Sequence, residues 1–399
     1  MTRGGWMQRL AQEISRNRDI QLHIATRVSG KEAYRINNQG ITYYLVPDKR
    51  TLLRKRLDIF LNREPTDDLI KQYLKIICDI GPDIVQVFGT EMDYGLVAGV
   101  TNVPVIIHIQ GVLLPIYYHL SKLHVPFWKA LRAAPVIDRI KGSTIRNGLR
   151  IFKRRAATER KIFQACHYFI GRTDWDRHMV RFFAPHARYF HCDEMLREIF
   201  FKATWNGNDS RPINLVSTIS GPLYKGHETL VETGLALKRA GTSFVWHIIG
   251  LDAKSTAYRI FYRDKMKQMA DYIRLHGELK PEVMIPILEN AHLYIHPSHI
   301  ENSSNAICEA MAMGMPVVAL YTGGNSSLIE NGVDGILVPD NDPYYLAATI
   351  QNICSNSTLL RQMGNKARDR ASVRHNPERI TAELRNIYEM VISLHENSR

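Results

Sequence analysis

Short apolar runs alternate with longer amphipathic stretches along almost the whole chain. The runs are Ile20–Ala25, Ile41–Val46, Ile84–Phe88, Val103–Ile109 and Tyr168–Ile170. Five more follow: Ile213–Ser217, Phe244–Ile249, Leu293–His296, Pro316–Leu320 and Gly335–Val338. Helix-like stretches such as Thr66–Cys78 and His227–Ala240 lie between them. Strands separated by helices pair in parallel, because each crossover returns the chain to the same sheet end. The predicted class is therefore α/β, with doubly wound parallel sheets.

At 399 residues the chain is long enough for two such domains. Thr204-Trp205-Asn206-Gly207-Asn208-Asp209-Ser210-Arg211-Pro212 is rich in small polar residues, Gly and Pro, and reads as a linker. This places one domain over 1–205 and a second over 211–375. A final helical segment, 376–399, is expected to return towards the first domain. The N-terminus breaks the pattern. A parallel α/β domain opens on a strand, but here Gly4-Gly5 form a turn that runs straight into a helix, Trp6–Ser15. Either the true start lies upstream of Met1, or the domain has given up its first strand. The turn matters because such folds meet phosphate there.

No apolar run approaches the length that spans a bilayer, and no signal-peptide segment opens the chain. The expected location is cytoplasmic. Cys78, Cys166, Cys192, Cys308 and Cys354 are scattered, as expected for reduced thiols. Charge is uneven. Residues 1–200 hold 32 Lys and Arg against 19 Asp and Glu, whereas the rest is balanced. The excess peaks over 129–161, with eleven basic residues against Asp138 and Glu159. That stretch is expected to meet an anionic membrane surface or a lipid-linked acceptor, or else to be a solvated basic face. No nucleic-acid-binding signature accompanies it.

The densest chemistry lies over 297–339. A strand ends at His296-Pro297-Ser298, and a helix is expected to start near Ser303–Asn305, where Ser and Asn are good caps. Gly314 and Pro316 end it. The first amides of such a helix, at Ser304, Asn305 and Ala306, suit a diphosphate. Glu301 and Glu309 flank the helix start, eight residues apart. Carboxylates repel phosphate, so their expected partners are hydroxyl groups, as on a sugar. Upstream, Lys225-Gly226 follows the strand Ile213–Ser217, where a lysine can reach a diphosphate.

Glu301 and Glu309 form an E-x7-E motif within a longer PS…E…EAMAxGxPVVA…GG…NGxxG pattern. That pattern resembles glycosyltransferase family 4, retaining enzymes of the GT-B fold. Three further stretches, 81–91, 171–176 and 191–197, resemble a branch of the family, the bacterial polysaccharide type of glycosyl transferase group 1. The resemblance implies two Rossmann-like domains facing a cleft, with the nucleotide-sugar donor in the second and a glycan or lipid-linked acceptor at the first. It implies that Glu309 binds the ribose, Glu301 the transferred sugar, and Lys225 the donor diphosphate, with no metal or other cofactor. The family places an arginine five or six residues before the lysine. Ser220 and Ile219 stand there, one positive charge fewer.

In the first domain the resemblance implies a histidine near the end of the strand 104–109, beside the transferred sugar. Gln110 aligns best with it, and His108 lies two residues earlier. Glu91 follows the end of another strand, so the three are candidates for the acceptor and sugar side. His108 is equally readable as a satisfied strand histidine. Two apparent metal motifs are set aside. Asp174-Trp175-Asp176 stands at a helix start, with Thr173 or Asp174 as its cap, and His191-Cys192-Asp193-Glu194 lacks zinc spacing. Two rival readings stand beside the transferase. One is a non-catalytic sugar-nucleotide-binding protein. The other is an epimerase acting on the sugar nucleotide alone.

Overall fold

A computed structural model describes residues 5–122 and 145–398, apart from 18, 29, 31, 49, 52–56 and 58–66. Gly4 and residues 129–144 of the basic stretch lie outside the described residues.

Helix α1 (Gly5–Ser15) opens the described chain. A three-stranded sheet follows, with β1 (His23–Val28) parallel to β3 (Ile41–Pro47) and β2 (Tyr34–Asn38) antiparallel to β3. β1 lies three residues later than the apolar run suggested, and β2 has no counterpart among the predicted strands. Its residues are all exposed, Tyr34 and Ile36 included, so it buries no apolar face. Pairing across a two-residue turn makes it instead. Gln39 and Gly40 both have positive φ, 52° and 78°, which matches the twist of a tight hairpin.

After α2 (Asp67–Ile80), four parallel strands form a second sheet in the order β4 (Val85–Phe88), β5 (Val105–His108), β6 (Tyr168–Gly171) and β7 (Arg188–His191). Helices α3 (Leu113–Lys122), α4 (Ile145–Ala165) and α5 (Asp174–Phe183) connect them. Strand alternation sorts the core into two faces. Ile107 and Phe169 face Ile162 and Phe163 of α4. Ile106, Tyr168 and Ile170 face Trp6, Leu10 and Ile14 of α1. Among the described residues β1 pairs only with β3, and β4 only with β5.

The second domain carries a six-stranded parallel sheet ordered β10 (Ile273–Gly277), β9 (Phe244–Ile249), β8 (Ile213–Thr218), β11 (Leu293–His296), β12 (Val317–Leu320) and β13 (Ile336–Val338). Helix α6 (His227–Arg239) follows β8, α7 (Pro281–Glu289) precedes β11, and α8 (Asn305–Ala312) follows it. The strand order reverses direction between β8 and β11. Loops leaving neighbouring strands there part to opposite faces and open a crevice.

After α9 (Pro343–Ile353) and α10 (Ser357–Arg374), the last helix, α11 (Pro377–Glu396), leaves the second domain. Its buried Ile380, Leu384, Ile387 and Val391 recur at helical spacing and pack with Trp6, Leu10 and Ile14. The two ends of the chain thus cover the same face of the first domain.

Candidate functional site

Two loops meet at the reversal between β8 and β11. The first carries Lys225-Gly226. Gly226 has φ +76°, and a Cβ there would lie 1.6 Å from the Pro297 carbonyl oxygen. Only glycine lets this turn rest against the second loop. His299 N–H donates to the Tyr224 carbonyl at 3.0 Å, tying the loops together.

The second loop leads into α8. Ser304 caps the helix, its hydroxyl accepting from the Ile307 amide. Glu301 sits before it. Lys225 Nζ donates to Glu301 Oε1 at 2.6 Å, and His296 Nε2 lies 3.1 Å from the same oxygen. Burial alone would raise the Glu301 pKa, but Lys225 and His296 hold it well below the usual carboxylate range. Gly323 has φ +52°, and a Cβ there would fall 1.8 Å from the Glu301 carbonyl oxygen, so this loop too is closed by a glycine. Asn305 begins the helix, and its Oδ1 is buried with no partner among the described residues. Ala306 is partly buried beside it.

Glu309 lies one turn further on. Arg197, from the end of the first domain, donates to Glu309 Oε1 through Nε at 3.1 Å and Nη2 at 2.7 Å. Burial raises the Glu309 pKa, against the pull of Arg197. Gly5 opens α1 directly against Arg197: a Cβ on Gly5 would meet Arg197 Cδ at 2.8 Å.

Across the crevice stands the end of the first sheet. The Glu91 carboxylate lies over Gly89 and Gly111, the glycines that follow β4 and β5. Burial pushes its pKa up to about 7, with Arg172 opposing. Burial raises the Tyr224 pKa; Lys225 opposes the rise, and the charges of Glu301 and Glu91 add to it. Gln110 is beside Glu91, returning its amide to the His108 carbonyl at 3.3 Å. Thr90 and the amides of Leu113 and Leu114 all donate to Glu159, so this buried acid of the basic stretch anchors the start of α3.

His108 is placed differently from the cleft position considered for it. It points to the α1 face of β5, 1% exposed, between Phe88 and Trp6. Its Nδ1 is 3.2 Å from Gln86 Nε2, and burial lowers its pKa to about 3. It is a core histidine, because β5 ends at His108 and the chain turns before Gln110. The structure therefore brings Lys225, Gly226, Glu301, Ser304, Asn305, Ala306, Glu309 and Gly5 to one side, and Glu91 and Gln110 to the other. Gly4 is outside the described residues.

Beneath the site lies a buried charge network. Glu194 accepts from Ser303 Oγ at 2.9 Å and Cys308 Sγ at 3.2 Å, with Arg172 and Arg374 each 3.7 Å from its other oxygen. Burial would raise its pKa, but Arg374 and Arg172 keep it well below normal. Glu194, Cys308 and His375 come close enough to share an ion, yet two guanidiniums already occupy that field, which opposes a cation. Asp176 accepts from the Arg172 amide at 2.7 Å, and Thr173 caps α5. Asn302 bridges the domains, accepting from Thr173 Oγ1 at 3.2 Å. The sequence reading assigned no role to Arg197, His296 or Asn302. His296 and Asn302 stood within the motif region, and Arg197 within the stretch 191–197.

Residues 213–356 match the family described as Glycosyl transferases group 1. The putative colanic acid biosynthesis glycosyltransferase WcaL of Salmonella typhimurium is 26% identical over 187 residues. That alignment covers 45% of this chain and 46% of the relative, so the chain spans about half the length of the curated protein it matches. Among solved structures, the sucrose-phosphate synthase of Thermosynechococcus elongatus superposes with a TM-score of 0.72 at 16% identity, covering 98% of this chain and 93% of that one. Anabaena HepE, solved with UDP and glucose, superposes with a TM-score of 0.60 at 14% identity, covering 87% and 86%. The fold is GT-B.

Proposed function

We propose that this chain, whose residues 213–356 match the glycosyl transferases group 1, is a retaining glycosyltransferase of cell-surface polysaccharide biosynthesis. It moves a hexose-type sugar from a nucleotide-sugar donor to a glycan or lipid-linked acceptor. The observation that carries this reading is the meeting of Lys225 and Glu301 at the sheet reversal, with Glu309 one helix turn beyond. A cation for the leaving diphosphate, a carboxylate for sugar hydroxyls and a carboxylate for the ribose are the three groups that a nucleotide sugar would need.

Catalysis on this reading needs no protein nucleophile and no metal. Lys225 and the first amides of α8 stabilise charge on the departing diphosphate. Glu301 orients the sugar, and Glu91 with Gln110 receive the acceptor hydroxyl. A carboxyl with a pKa near 7 can accept that hydroxyl's hydrogen bond without carrying a permanent full charge beside the donor.

The test is calorimetric titration of UDP, GDP and ADP into the wild-type protein and Glu309→Ala. UDP comes first, since HepE of the same fold was solved with it. One nucleotide is expected to bind, and Glu309→Ala to weaken it about 10–100-fold by removing hydrogen bonds to a charged acceptor. Failure of every nucleotide to bind would overturn the reading.

The acceptor side fits an anionic surface. In the described part of the basic stretch, Arg150, Lys153, Arg160 and Lys161 are exposed along α4. No helix among the described residues is long and apolar enough to cross a membrane. We place the enzyme on the cytoplasmic face, held by charge. Vesicles containing anionic lipid are expected to bind the protein at low salt and to release it as ionic strength rises. Equal binding to neutral vesicles would refute this.

A further inference from the structure

We propose that Arg197 is the second cation of the donor site: it holds Glu309 in the free protein and takes the donor diphosphate when a nucleotide enters. The inference rests on the donor-site reading above and adds a residue to it.

The charges at the site require such a group. Lys225 is already paired with Glu301. Glu309 is a second carboxylate, and Ile219 and Ser220, ahead of the lysine, carry no charge. Without Arg197, two carboxylates face one lysine, and the pocket repels an incoming diphosphate. Arg197 restores the balance. It is also the more exposed partner of the pair, although its guanidinium lies over the Phe200 ring, 4.8 Å from the centroid. Its side chain is 34% exposed, whereas that of Glu309 is 13% exposed. Both of its bonds fall on one oxygen of Glu309.

The surroundings fit an anion. Arg197 runs past Gly5, at the N-terminus of α1, with no room for a Cβ between them. No acidic residue lies in the first turn of α1. The positive end of an 11-residue helix therefore stands beside the guanidinium. A guanidinium presents paired N–H groups to phosphate oxygens, a geometry that an ammonium lacks. Ribose entry also drives the exchange. Hydroxyls that reach Glu309 compete with Arg197 for its oxygens and turn the arginine towards the phosphates.

Calorimetry separates this role from that of a structural clip. Each of UDP, GDP and ADP is titrated alongside its own nucleoside into wild type, Arg197→Ala and Arg197→Gln. The glutamine keeps a hydrogen bond for Glu309 without the charge, and serves if the alanine variant does not fold. For the nucleotide that binds wild type, both variants are expected to lose about 10–100-fold in affinity. Affinity for the matching nucleoside is expected to hold or rise, because Glu309 is released to the ribose. Equal losses for nucleotide and nucleoside would make Arg197 a clip and overturn the proposal while leaving the donor site intact. An unchanged nucleotide affinity would overturn it in the same way. Wild-type protein that binds no nucleotide would overturn both readings together.

Discussion

Gly226→Ala is expected to abolish most donor binding and to lower kcat/KM at least about 100-fold, the scale of a 1 Å misplacement of a catalytic group. Two effects combine. The residue has φ +76°, a conformation that costs an alanine roughly 1–2 kcal/mol. The added Cβ would also lie 1.6 Å from the Pro297 carbonyl oxygen and 2.5 Å from its carbon. Those are backbone atoms of a loop tied down by the Tyr224–His299 hydrogen bond. They cannot swing aside as a flexible side chain can, so the turn must open. Lys225 is the preceding residue and moves with it, away from Glu301. Steady-state kinetics and thermal melting measure both consequences. Gly148→Ala, in α4 with nothing within 4 Å of the new atom, is the control and should melt at or above the wild-type temperature. Wild-type kinetics in Gly226→Ala would show that the turn does not position the lysine.

Lys225→Ala should reduce kcat by about 10²–10³, the range found when one group stabilising a developing oxyanion is removed. It should also change how stability depends on pH. In the wild type, the Glu301 pKa lies below its unfolded value because Lys225 and His296 outweigh burial. A group depressed in this way stabilises the fold above its unfolded pKa, about 4.3, and that stability is lost as pH falls through the folded pKa. Among the described residues, removing Lys225 leaves a largely buried carboxylate with His296 beside it. Burial then dominates and the pKa rises above the unfolded value. The sign reverses, and the variant should gain stability relative to wild type as pH falls from 7 to 5. At pH 7 the loss should be about 2 kcal/mol, below the range for fully buried pairs because both side chains keep some exposure. Chemical denaturation at the two pH values reads this directly. A variant as stable as wild type at pH 7, with its turnover intact, would remove Lys225 from the mechanism.

The second domain was the more legible half. Its strands are short apolar runs flanked by turn residues, and all six pair in parallel, five of them near runs visible in the sequence. Glu301, Glu309 and Lys225 stood out because two carboxylates eight residues apart flank a capped helix start and a Lys-Gly pair follows a strand. The first domain was less legible. β2 buries no apolar face and is held by its partner across the Gln39-Gly40 turn. For His108, alternation could say which residues share a face of the strand, but not which face α1 and α11 would cover. That choice is made by Trp6 and Ile387, at opposite ends of the chain.

By itself, the sequence determined the parallel sheets and the loops that carry the candidate site, because periodicity, turn glycines and helix caps act between near neighbours. Only the tertiary structure decided which charges meet there. Lys225 and Glu301 are 76 residues apart, and Arg197 and Glu309 are 112 apart. No local pattern encodes such contacts, since ion pairs form between whatever side chains the packed sheets and helices bring within reach.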